Sequence, residues 1–221
     1  MLRLATAVFV FLGGFAVMVL EIIGARYLDK YFGGSFYVWI SQIGVILMAL
    51  ALGYAIGGAL ADKFRRAGFL TVPLALAGIF TLFIPEFTPG LLDRIVLRHP
   101  REHDIPPLWV KLDPAIGSAV VFFLPCFVLA VISPYMIRIA SKRLERVGTT
   151  SGMIYAASTV GSIAGVFMSG YVFIDYLTVT QIFRATGALA FILALLSLAM
   201  DLWLGGNLRA EEAGSAKTAA Q

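Results

Sequence analysis

The sequence predicts an all-α integral membrane protein with six transmembrane helices. Three observations predict it. The chain of 221 residues is 60% hydrophobic and only 14% charged, with a mean hydropathy of +0.90. A soluble domain carries about 25% charge and about 45–50% apolar residues. The charges are also gathered between long charge-free runs, covering residues 4–20, 31–61, 67–85, 114–137, 147–174 and 185–200. Finally, stretches such as Val45-Ile46-Leu47-Met48-Ala49-Leu50-Ala51-Leu52 do not alternate, so they do not read as the short alternating strands of a membrane β-barrel. Disorder is excluded by the high hydrophobicity, and a disulfide scaffold by Cys126 being the only cysteine.

About 20 apolar residues cross a bilayer as a helix. The runs place helices near 4–23, 38–61, 68–87, 115–137, 152–174 and 180–204, within a membrane domain of residues 1–204. The first run follows Arg3 but is too long for a signal peptide and lacks a small-x-small cleavage site. The loop after helix 2 reads Asp62-Lys63-Phe64-Arg65-Arg66, and the loop after helix 4 carries Arg138, Lys142, Arg143 and Arg146. Basic short loops stay in the cytoplasm, so both termini are expected there, in a bacterial inner membrane. Residues 88–113 form a long outer loop, in which Leu91, Leu92, Ile95, Val96 and Leu97 suggest a short interfacial helix with Trp109 and Lys111 nearby. Residues 205–221 are expected to be a flexible cytoplasmic tail.

Helix 2 carries Ala49, Gly53, Gly57 and Ala61 at steps of four, and helix 5 carries Ala157, Gly161, Gly165 and Ser169 at the same steps. Such strips let backbones approach closely in lipid. Their places, second in each group of three helices, are those of a three-plus-three repeat.

Polar residues inside the runs are the candidates for chemistry. Glu21 ends helix 1 and is expected to pair with Arg26, bind a cation or relay a proton, because an ionisable group at membrane depth is a functional hypothesis by default. Ser41 and Gln42 sit inside helix 2, to bridge another helix or line a path. Asp62 is expected to contact Arg138, Arg65 or Arg66 in a structural or gating role. Asp175 and Arg184 flank the turn between helices 5 and 6 and are expected to pair. His99-Pro100-Arg101-Glu102-His103 matches H-x-x-E-H, a metalloprotease pattern, but Pro100, Pro106 and Pro107 oppose the helix it needs. His99 and His103 are thus only a weak metal candidate, and no cofactor is expected.

The stretch Glu21-Ile22-Ile23-Gly24-Ala25-Arg26-Tyr27-Leu28, followed by Tyr31-Phe32-Gly33-Gly34-Ser35-Phe36-Tyr37-Val38-Trp39, resembles the membrane domain of the spermidine synthase-like integral membrane proteins. These are also described as fused major facilitator and spermidine synthase proteins. Leu52-Gly53-Tyr54-Ala55-Ile56-Gly57-Gly58-Ala59-Leu60-Ala61-Asp62, Ser133-Pro134-Tyr135-Met136-Ile137-Arg138 and Gly152–Gly165 extend the resemblance over about residues 10–185. It implies half of a major facilitator-like fold. The family's soluble aminopropyltransferase domain has no counterpart here, so no enzymatic activity is expected. The resemblance further implies a transporter-like half-bundle for polyamines or other organic cations. An accessory subunit of a larger membrane complex, or an anchor for a separate aminopropyltransferase, is the alternative. The expected partners are the lipid bilayer and a second copy or another membrane subunit, docked on the strips of helices 2 and 5, with no nucleic acid.

Overall fold

A computed structural model of the chain describes residues 2–64, 66–99, 105–141 and 147–219. Among them all regular structure is helical: α1 Leu2–Phe32, α2 Phe36–Phe64, a 3-10 turn Ala67–Leu70, α3 Thr71–Leu82, α4 Ile84–Val96, α5 Pro107–Ala140, α6 Val147–Met168, a π turn Ser169–Phe173, α7 Ile174–Tyr176 and α8 Val179–Ala219. Five helical stretches are long and apolar enough to cross a membrane, or six if the bent segment Ala67–Val96 counts as one span. The expected all-helical architecture is present among the described residues, with five or six helices that could span a membrane.

Four boundaries depart from expectation. Helix 1 does not stop near 23 but runs to Phe32, where Gly33 at φ +79° turns the chain into α2. Glu21 is consequently eleven residues inside the helix, about 16 Å from its end at 1.5 Å per residue. The third span is not one straight helix over 68–87. It breaks at Phe83 and bends by 66° into α4. Pro85 explains the break, because it has no N–H to give the Thr81 carbonyl and its ring crowds that carbonyl. Much of the expected outer loop 88–113 is helical, since α4 reaches Val96 and α5 begins at Pro107. The backbone of α8 continues through Ala219, across the segment expected to be a tail.

α2 packs chiefly on α5, α1 on α6, and α3 on α8, with α1 and α5 touching in the middle. α5 is the most enclosed span, with 61% of its apolar window buried, against 28% for α2 and 17% for the α6 segment. Tyr135, Phe122 and Phe183 are fully buried.

The close approaches run in two matched sets. A methyl group on Gly53 would lie 2.6 Å from the Phe127 carbonyl oxygen, and one on Gly57 2.9 Å from that of Val131. On the other side Gly161 abuts the Phe11 carbonyl, and a methyl group on Gly165 would lie 2.6 Å from that of Phe15. Gly53 and Gly57 map onto Gly161 and Gly165 by a shift of 108 residues, and Phe11 and Phe15 map onto Phe127 and Val131 by a shift of 116. The contact α2–α5 is thus repeated by α6–α1. The strips are close-packing faces, but α5 and α1 of the same chain fill them.

Candidate functional site

Gln42 lies completely buried among α1, α2 and α5. Ser118 Oγ donates to its Oε1 at 2.6 Å, and its Nε2 donates to the Leu20 carbonyl at 3.4 Å. Gly24 leaves the space, because a side chain there would collide with the Gln42 amide. An amide without partners at this depth would cost several kcal/mol, and the two bonds spend its polar capacity on joining three helices. Gln42 is therefore a bridge rather than a free lining group. Ser118, its partner, carries no signal in the sequence, because a lone serine in an apolar run looks like any small residue.

Glu21 is next to this bridge and differs from it. It is half-buried. Among the described residues no cation lies within ion-pair distance of it, so the expected pair with Arg26 is not formed. Arg26 sits five residues on, exposed, and influences Asp29 instead. Gly14 packs on Ser158 and Ser162, and Met18 on Gly165. Glu21 continues that line of α1, while Tyr27, on another side of the helix, meets Phe183 of α8 and bonds Thr88 of α4 at 2.6 Å. The Glu21 carboxylate is also within electrostatic reach of Cys126 on α5. It therefore belongs to the surface shared by α1, α5 and α6, away from α3 and α8. Tyr54 of α2 and Tyr155 of α6 are within electrostatic reach of each other and are 42% and 55% exposed.

At the end that gathers the two basic turns, Arg138 Nε donates to Asp62 Oδ1 at 2.5 Å. This realises one of the contacts considered for Asp62. Arg66 takes part through its backbone, its carbonyl accepting the Tyr135 hydroxyl at 2.8 Å. Arg65 lies outside the described residues. A cavity of about 340 Å³ opens beside the pair, bounded by Gly58, Pro134 and Ser141. A second, of about 290 Å³, lies between Thr6, Ala140 and Thr149.

At the opposite end, the Asp113 carboxylate is 6% exposed and takes two partners, the Arg98 guanidinium and His99 Nε2, the latter at 2.7 Å. Arg98 also stacks over Trp109 at 4.1 Å. His99 is thereby committed to a carboxylate. His103 lies outside the described residues, and no group of three metal-ligating side chains occurs among the described ones. Arg184 pairs with Glu86 at 2.6 Å and not with Asp175, because the bend at Phe83 carries α4 toward α8. No protein-family model, curated protein or solved structure matches this chain.

Proposed function

We propose that this chain is a transporter-like half-bundle of an inner membrane, arranged as a three-plus-three repeat of the major facilitator kind with both termini in the cytoplasm. It works with a second half supplied by another copy or another membrane subunit, and it moves organic cations, polyamines among them. The observation that carries the reading is Glu21, a half-buried carboxylate well inside an apolar span with no cation paired to it among the described residues. A charge at that depth is costly and persists where it has work to do. The repeated α2–α5 and α6–α1 packing supports the half-bundle. The Asp62–Arg138 pair beside its cavity is then a gating contact.

The test is uptake of labelled spermidine and of a monovalent organic cation into proteoliposomes. Activity that disappears in Glu21→Gln, while the protein still assembles and melts as before, supports the reading. Uptake indifferent to that change removes it. The alternative, an accessory subunit, is favoured by the largely uncovered α2 and α6. Gentle detergent purification that brings down a stoichiometric membrane partner, with no uptake by the chain alone, would select it.

A further inference from the structure

The first turn of α6 borders two cavities. The one of about 290 Å³ is bounded by Thr6 of α1, Ala140 of α5, and Thr149, Thr150, Met153 and Ile154 of α6. The one of about 340 Å³ reaches Val147, Ser141 and Arg138. Each is bordered by a residue whose hydroxyl has no partner. Thr6 is 2% exposed and its Oγ1 makes no hydrogen bond, and the buried Ser141 Oγ makes none either. Other buried threonines behave differently. Thr81, Thr88 and Thr186 each turn the hydroxyl back onto the carbonyl four residues earlier, the local bond that threonine makes inside helices. Thr6 does not, so its hydroxyl is a buried donor that costs free energy until something meets it.

The surroundings select the sign of the missing partner. Thr149 and Thr150 are the third and fourth residues of α6, and the first four N–H groups of a helix have no carbonyl of their own helix to bond. They carry the positive end of the dipole of a 22-residue helix. Such amides, together with a hydroxyl, are donors for an oxygen-bearing anion, and the same end repels a cation. The sequence adds positive charge, since Lys142, Arg143 and Arg146, against the single acid Glu145, lie between the end of α5 and the start of α6. The rest of the cavity is apolar, with Ala140 and Ile154 inside and the exposed Met153 continuing the wall outward. Free phosphate would leave that wall against water. A phosphate that carries a hydrocarbon chain satisfies both parts.

We propose that the start of α6 is a binding site for an anionic phospholipid. The phosphate oxygens accept hydrogen bonds from the first-turn amides of α6 and from the Thr6 hydroxyl, and an acyl chain runs along Ala140, Ile154 and Met153. Lys142, Arg143 and Arg146 answer the negative charge, as basic clusters beside membrane helices do for anionic lipids. The amides and the hydroxyl give the phosphate a fixed seat, which a basic cluster alone does not. The site draws on α1, α5 and α6 together, and it stands whatever the bundle moves.

The experiment uses the full chain, delipidated in a mild nonionic detergent, with dioleoyl phosphatidylglycerol and dioleoyl phosphatidylcholine as probes. Native mass spectrometry counts the bound lipid, and melting temperatures are read with and without it. The expected result is one phosphatidylglycerol held about tenfold tighter than phosphatidylcholine. Thr6→Val keeps the shape of the side chain and removes the hydroxyl. Without lipid it should melt no lower than the unsubstituted chain, because the donor it removes has no partner. With phosphatidylglycerol it should bind about tenfold more weakly, the effect of losing one hydrogen bond to a charged group. A Thr6→Val chain that binds phosphatidylglycerol unchanged overturns the seat, and equal retention of the two lipids overturns the anionic headgroup. A delipidated Thr6→Val chain that melts clearly lower means that the hydroxyl already has a partner in the free protein, which also overturns it. Inorganic phosphate that raises the melting temperature as far as phosphatidylglycerol does would assign the anion site to a soluble phosphate instead of a lipid.

Discussion

Ser118 gives its hydroxyl hydrogen to the Gln42 side-chain carbonyl at 2.6 Å, joining α5 to α2 where both are fully buried. Hydrogen bonds between membrane helices are worth about 0.6 kcal/mol on average and up to about 2. Ser118→Ala is expected to destabilise the bundle by about 1 kcal/mol. Gln42→Leu, which also brings a branched side chain against Gly24, should cost more, about 2–3 kcal/mol. A double-mutant cycle read by thermal melting in detergent should give a coupling of about 0.5–1.5 kcal/mol. Additive effects would mean that the bond contributes nothing.

The glycines divide into two classes with opposite expectations. Gly53, Gly161 and Gly165 face backbone at distances a methyl group cannot keep. Alanine at each should therefore push two helices apart and cost about 1–3 kcal/mol. Gly44 and Gly152 have no neighbouring atom within 4 Å of a built methyl group. Alanine there removes glycine's conformational freedom and should be neutral or stabilising by up to about 1 kcal/mol. Melting temperatures of the five single variants measure the contrast directly.

The ion pairs at Asp113 and Glu86 should not weigh equally. The Asp113 carboxylate is 6% exposed, whereas Glu86 and Arg184 are 42% and 60% exposed. Asp113→Asn removes the negative charge and one of the two acceptor oxygens shared by Arg98 and His99. It should cost about 2–4 kcal/mol, the penalty for breaking a buried pair. Glu86→Gln should cost no more than about 1 kcal/mol, as for a solvent-screened pair. Equal shifts in denaturant midpoints would contradict this ranking.

Arg138→Ala separates stability from gating. The pair it forms with Asp62 is 43% and 67% exposed, so its loss should change stability by less than about 1 kcal/mol. If the pair gates access from that end, uptake in proteoliposomes should nonetheless change several-fold. An unaltered rate would make it a helix-end contact only.

Composition and the charge-free runs were enough to find an all-helical chain and most of its helices long and apolar enough to cross a membrane, because hydrocarbon tolerates only backbone that satisfies its own hydrogen bonds. The small-residue strips could also be read directly, since a spacing of four puts Gly53 and Gly57 on one face wherever the helix lies. Their partner could not. The pattern says that a backbone comes close, and it does not say whether that backbone is α5 of the same chain or a helix of another.

What the sequence alone determined is the set of residues that must be dealt with inside a membrane: Glu21, Gln42, and the glycines of α2 and α6. Tertiary structure decided what each one meets. It carried α1 on to Phe32 and so sank Glu21 deeper into the span. It broke the third span at Phe83 and sent Glu86 to Arg184 instead of Asp175. It brought Ser118 to Gln42 and Asp113 to His99 across separations of 76 and 14 residues. The physical reason is that periodicity along one helix fixes a face, while pairing between faces depends on the relative rotation and depth of two helices, which no single segment encodes.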